Sequence, residues 1–305
     1  MPMRSVWGAL GLGFVLLSGC QKVWGFEDFE EGAGQAGGGS GGTGGGGGTG
    51  GSGGSSATGG SSGSGGSAGA EACTHPSAPN GMVGVRVSTN KCVWIDPKEV
   101  TRSQYDSFRT GTPTNPTGCE ANTSFDGPEE VVAAAPCVGP GQTPDAGAAD
   151  AAAPPPAGAP VTCVDWCDAE AYCASLGNTL CKGTYNQPKQ GPWYDVCSSN
   201  GANDYPYVGT FQSNYCNDSS AAVKALVDSG SKTQCVTASG VFDLTGNASE
   251  WLDACSGTGP NDSCDTRGGN YNDGASVAAC GGSVNVPKKR GLATLGFRCC
   301  WEPTT

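Results

Sequence analysis

At 305 residues, with 53 glycines, only 14% charged residues and a formal charge of −12, the chain is acidic and sparsely charged. Its 16 lysines and arginines are widely scattered, which excludes nucleic-acid binding, because phosphate recognition needs them clustered. Acidity on this scale serves solubility and is compatible with divalent-cation sites, which need carboxylates.

The first element in the chain is a processing signal. Arg4 precedes an apolar run from Val6 to Leu17, too short to span a bilayer as a mature helix. The run ends in Leu17-Ser-Gly-Cys20, which resembles the lipobox of bacterial lipoproteins. That resemblance makes residues 1–19 a signal peptide, Cys20 the lipidation site and 20–31 a lipidated N-terminal segment. The competing reading is an ordinary secretory signal that happens to contain a cysteine. Either way the protein is exported, to the periplasm or the cell surface. Residues 32–70 are almost entirely Gly, Ser, Ala and Thr and bury no core, so they read as a flexible tether with a reach of roughly 35 Å. A lipid anchor makes the membrane the first expected partner, and the tether holds a folded domain clear of it.

Residues 71–305 are enough for one domain. Thr101-Arg-Ser-Gln104 fits a capping box, with Tyr105 and Phe108 on one face of a short helix over about Arg102–Arg109. Residues 127–160 are rich in Ala, Pro and Gly and read as a low-complexity surface insertion, held near Cys137 and otherwise disordered. A second helix starts after Asp165, which can cap it. It carries Trp166, Ala169, Cys173 and Leu176 as an apolar stripe and stops at Gly177. Beyond Gly177 the signals are short and broken by turn pairs, which predicts a loop-rich, disulfide-rich α+β domain.

Setting Cys20 aside, the seventeen cysteines leave sixteen, an even number that implies up to eight disulfides in an exported chain. Zinc is disfavoured, because no CxxC pair occurs and His75 is the only histidine. The single imidazole also argues against a Ser-His-Asp triad and any site needing several histidines.

Several stretches, taken in order, resemble one family. They are Glu99-Val-Thr-Arg-Ser-Gln-Tyr105, Pro160-Val-Thr-Cys-Val-Asp-Trp166, Asp168-Ala-Glu-Ala-Tyr-Cys173, Asp204-Tyr-Pro-Tyr207, Phe242-Asp-Leu-Thr-Gly-Asn-Ala-Ser-Glu-Trp251, Arg267-Gly-Gly269 and Leu295-Gly-Phe-Arg298. The ordered set resembles the formylglycine-generating enzyme, or sulfatase-modifying factor, family. That resemblance implies a C-type-lectin-like fold with little regular secondary structure. It also implies two bridges, Cys173 with Cys299 and Cys197 with Cys280. Of the remaining cysteines, Cys255 with Cys264 and Cys119 with Cys137 are expected to pair locally.

In catalytic relatives the strand after Arg-Gly-Gly carries two reactive cysteines that bind copper(I), which thiolates hold and carboxylates do not. Here Asn270 to Ala279 contains no cysteine, histidine or methionine, so copper is not expected and no residue is assigned a catalytic role. The family's non-haem iron branch needs several histidines and is set aside on the same ground. The resemblance places calcium on the side chains of Asp243 and Glu250 and the carbonyls of Gly246 and Ala248, a mixture of hard oxygens that suits the ion. The competing reading is a capped turn that buries Trp251. A second family calcium site would begin near Asn217 and Asp218, with later ligands not located.

Trp94, Trp166, Trp193 and Trp251 are expected in the core, Arg267 and Arg298 as loop ties through carboxylates, and Lys288-Lys-Arg290 as a solvated basic turn. Asn270, Tyr271, Asn272 and Asp273 are expected to line the groove where relatives hold substrate. The resulting expectation is a lipid-anchored surface module that binds a peptide, protein or glycan or serves as a scaffold, with calcium stabilising it. The alternative is a formylglycine-generating oxidase acting on exported sulfatase cysteines.

Overall fold

The computed structural model describes residues 73–127, 137 and 155–303. The signal, lipidation and tether readings, and most of the 127–160 insertion, lie outside the described residues. From Cys73 onward the elements run β1 (Val83–Arg86), β2 (Cys92–Ile95), α1 (Arg102–Arg109), α2 (Trp166–Ser175), β3 (Thr179–Leu180) and α3 (Pro192–Ser198). They continue with β4 (Ser249–Cys255), β5 (Ser263–Arg267), α4 (Ala275–Ala278), β6 (Ser283–Pro287), β7 (Leu295–Gly296) and β8 (Cys299–Trp301). This is the loop-rich α+β fold that the sequence implies.

Both longer helices begin where their caps dictate. Thr101 accepts from the Gln104 amide, and the Gln104 side chain returns the bond at 2.8 Å. At α2, Asp165 and Asp168 exchange the equivalent pair at 3.0 and 3.2 Å. Gly177 then takes φ +73° and ends the helix. Trp166, Ala169 and Cys173 are buried as expected, but Leu176 is 56% exposed. It is the C-cap rather than a helical residue, so the chain has already turned toward β3, and Tyr172 completes the apolar face instead.

One sheet has the order β1-β2-β8-β3, placing the last strand between early ones, and the second runs β6-β5-β4-β7. The first core cluster gathers Tyr105, Tyr172, Trp251 and Phe297, and the second gathers Trp193, Leu244 and Leu252. Trp94 and Trp166 are buried too. Lys288 departs from expectation. It is 5% exposed, with its ammonium 4.4 Å over the Trp166 ring and donating to the Gly257 carbonyl, because the aromatic face and carbonyl replace water.

All sixteen described cysteines are bridged. The pairs include Cys173–Cys299, Cys197–Cys280 and Cys255–Cys264, together with Cys73–Cys92, Cys181–Cys300 and Cys216–Cys235. Cys119 does not pair with Cys137. It bonds to Cys167, and Cys137 bonds to Cys163. The reason is a non-local contact: Asn122 donates to the Asp168 carboxylate at 3.1 Å, which lays the Cys119 turn against the start of α2. The return leg of the insertion is also docked. Arg102 and Ser103 donate to the carbonyls of Ala159 and Ala157, and Ala159 is fully buried.

Candidate functional site

The chain between Phe242 and Trp251 cannot run as a plain strand, because Asp243, Gly246 and Asn247 all take positive φ. At Gly246 a Cβ would lie 2.5 Å from the Asn217 carbonyl oxygen, so only glycine lets the two segments touch. Asn247 then uses its whole amide. Its Nδ2 donates to Glu99 and the Val227 carbonyl, and its Oδ1 accepts from Asn217 Nδ2 and the Val227 amide. The Ala248 amide donates to Glu99 at 3.1 Å.

Beyond this turn the carboxylates collect around one cation. Arg298, fully buried, holds Glu250 through three contacts of 2.6–2.9 Å and also donates to the carbonyls of Asp96 and Phe242. The Trp193 indole donates to the same Glu250 carboxylate at 2.8 Å. Burial pushes the carboxyls of Asp96 and Asp243 up to about 6. Burial and then the charge of Asp243 hold Glu99 well above the usual range.

The predicted calcium ligands do not fit the ion as these side chains stand. Both Glu250 oxygens are taken by Arg298 and Trp193, and Asp243 Oδ2 accepts from the Gly230 amide. Among the described residues, no cluster of three or more His, Cys, Asp or Glu side chains could hold a metal. Asn217 donates to the Ala225 carbonyl and to Asn247 Oδ1. Its Oδ1 is buried without a hydrogen-bond partner, as are Asp218 Oδ2 and Thr245 Oγ1.

The four predicted groove residues fall together in one turn after Gly269. The Asn270 amide and Nδ2 both donate to Asp273, the Asn272 amide donates to Asn270 Oδ1, and the Ser219 amide donates to the Asp273 carbonyl. The Tyr271 amide donates to the Asn247 carbonyl, and its ring packs against Ala159, Leu226 and Ala248. Much of the polar capacity expected to meet a ligand is therefore spent within the protein, and Asn272 is the most open of the four.

Two neighbouring features, Asp204-Tyr-Pro-Tyr207 and Arg267, were legible as motifs but not in their contacts. Tyr205 and Tyr207 stack at 5.6 Å, and the Tyr205 hydroxyl donates to the Ala275 carbonyl, fastening that loop to α4. Arg267 pairs with Asp265 at 3.7 Å and donates to the carbonyls of Gln187, Pro188 and Gln190. The loop it holds lines an open cavity of about 360 Å³ together with Lys189. Three backbone carbonyls brought to one guanidinium leave no periodic mark in sequence.

A profile of the Sulfatase-modifying factor enzyme 1-like domain matches residues 53–303. Among solved structures, PvdO from Pseudomonas aeruginosa is similar at 17% identity and TM-score 0.50, over 70% of this chain and 82% of that one. CarF is similar at 19% identity and TM-score 0.44, over 70% of this chain and 87% of that one. Treponema denticola variable protein 1 is similar at 17% identity and TM-score 0.44, over 73% and 95%. No curated protein matches in sequence.

Proposed function

The chain belongs to the sulfatase-modifying factor enzyme 1-like family, and from that premise we propose that it is an exported member without the family's copper–thiolate chemistry, serving as a surface binding or scaffold module. The observation that carries this reading is the state of the cysteines. All sixteen described ones are in disulfides, Cys280 is bonded to Cys197, and the segment from Asn270 to Ala279 holds no soft ligand. Copper(I) would find carboxamides, a phenol and a carboxylate there, none of which it prefers.

Eight disulfides support an oxidising compartment, and among the described residues no helix is long and apolar enough to cross a membrane. Anchoring through lipidated Cys20 is part of the proposal. So is a peptide, protein or glycan ligand entering beside Tyr271 and Asn272.

The test is a free-thiol count on the purified, unreduced protein, by alkylation under denaturing conditions with disulfide mapping. No free thiol is expected, since a lipidated Cys20 carries its acylglyceryl group on sulfur, together with no copper-dependent oxidation of a cysteine-containing sulfatase peptide. Two free thiols near Asn270, with such oxidation, would reverse the reading in favour of a formylglycine-generating oxidase.

A further inference from the structure

Seven of the eight bridges join cysteines 19 or more residues apart; the bridge between Cys255 and Cys264 spans only 9. Its two cysteines face each other across the antiparallel β4–β5 pair. Because the Ser256 amide donates to the Ser263 carbonyl at the next position, Cys255 and Cys264 occupy a non-hydrogen-bonded pair, where side chains come closest. Their Cα atoms are 3.9 Å apart, against 4.7–5.7 Å in the other bridges.

The hairpin that carries this bridge is held by other means. Asp262 accepts from the Gly259 amide at 2.6 Å and from the Ser256 hydroxyl, while its carbonyl accepts from the Lys288 amide. β5 remains paired to β6 over all five of its residues. β4 shifts register against β5 between Trp251 and Cys255, but past the shift the Ser256 amide still donates to the Ser263 carbonyl, so opening the disulfide leaves the two thiols opposed. Cys264 is buried, but Cys255 is half-exposed, giving a reductant one sulfur to approach.

Cys73–Cys92 is also half-exposed, but it differs in the decisive respect. Cys73 lies outside every strand, so reduction lets its sulfur leave Cys92, and the same holds for Cys119–Cys167, where Cys167 is half-exposed and Cys119 lies outside every helix and strand. Bridges such as Cys173–Cys299 and Cys197–Cys280 are buried on both sides.

From this geometry we propose that Cys255–Cys264 is a reversible thiol–disulfide exchange site that takes electrons from an external dithiol. One thiolate of the dithiol attacks Cys255 Sγ, the disulfide breaks and Cys264 leaves as a thiol. The second dithiol sulfur then attacks the mixed disulfide and releases Cys255 as a thiol. Two electrons and two protons pass to the protein, and the dithiol becomes a disulfide.

The experiment is stepwise reduction of the full native chain with dithiothreitol, quenched with N-ethylmaleimide and mapped by mass spectrometry. Cys255 and Cys264 are expected to label together about tenfold faster than any other pair. Near-UV circular dichroism should stay unchanged, and glutathione disulfide should restore the bridge. The double variant Cys255→Ser, Cys264→Ser is expected to lose that fast phase and keep the slower ones. The proposal fails if another bridge opens first, or if Cys255 and Cys264 label only as near-UV dichroism collapses. It also fails if the bridge does not re-form, or if the fast phase survives in the variant.

Discussion

Arg298 is the residue on which the centre of the domain depends, because among the described residues it is the cation bonded to Glu250, in a place water does not reach. Arg298→Ala would leave that carboxylate buried and uncompensated, a loss of roughly 3–5 kcal/mol on the scale of broken buried pairs. Urea unfolding should show it as a large fall in midpoint or as failure to fold, and a loss under about 1 kcal/mol would mean that Glu250 finds another partner. The same pair bears on calcium. With Glu250 already filled, melting temperatures in excess calcium and in chelator are expected to agree within about 2 °C, since an ion that binds the native state weakly stabilises it little. A clear rise with calcium would show that Glu250 turns from Arg298 to the ion, or that Asn217 and Asp218 hold one. Arg298 was legible in Leu295-Gly-Phe-Arg298 as a loop tie. That it fills both Glu250 oxygens was not, because Glu250 lies 48 residues earlier and no local pattern joins them.

At the scale of elements, α2 shows what local sequence carries and where it stops. The Asp165 cap and the Gly177 stop are written in neighbouring residues, and the helix lies between them. The fate of Cys167 is not, because it depends on the Asn122–Asp168 contact across 46 residues. The turn at Asn270–Asp273 was legible as polar but not as self-satisfied, since Asx-type bonds reveal themselves only once the backbone is placed. The link from α2 to β3 also has a titration. Glu170 accepts from the Leu180 amide at 2.9 Å, and burial, with the charge of Asp253 adding to it, pushes its carboxyl up to about 7 from 4.5. A carboxyl raised in the folded state favours folding while protonated, so stability should decline as pH rises from about 4.5 to 7. Glu170→Gln should remove roughly 1–3 kcal/mol of that decline, measured as the difference in unfolding free energy between pH 5 and pH 8. An unchanged slope would mean that Glu170 is ionised throughout.

For the whole molecule, the bridges decide how the ends are held. Cys173–Cys299 and Cys181–Cys300 fasten the last strand to segments 126 and 119 residues earlier, and β8 sits between β2 and β3. Closing loops of that length restrains the unfolded chain by about 4–5 kcal/mol each, so full reduction is expected to abolish near-UV dichroism, unlike selective opening of the β4–β5 hairpin. The folded part is thus fastened to itself through β8, and the membrane connection we propose lies at the start of the sequence. There the sequence offers Cys20 after Leu17-Ser-Gly19, followed by a long run of Gly and Ser. Stable anchoring by acyl chains takes two signals, so a lipoprotein modified at Cys20 should partition into the detergent phase of Triton X-114 while its folded domain stays digestible from the membrane as one piece. Cys20→Ser should move the protein to the aqueous phase without altering the disulfide map, because Cys20 has no part in the sixteen-cysteine set. If the unaltered protein is aqueous as well, Leu17-Ser-Gly-Cys20 is only the end of a secretory signal, and the domain works as a free exported module.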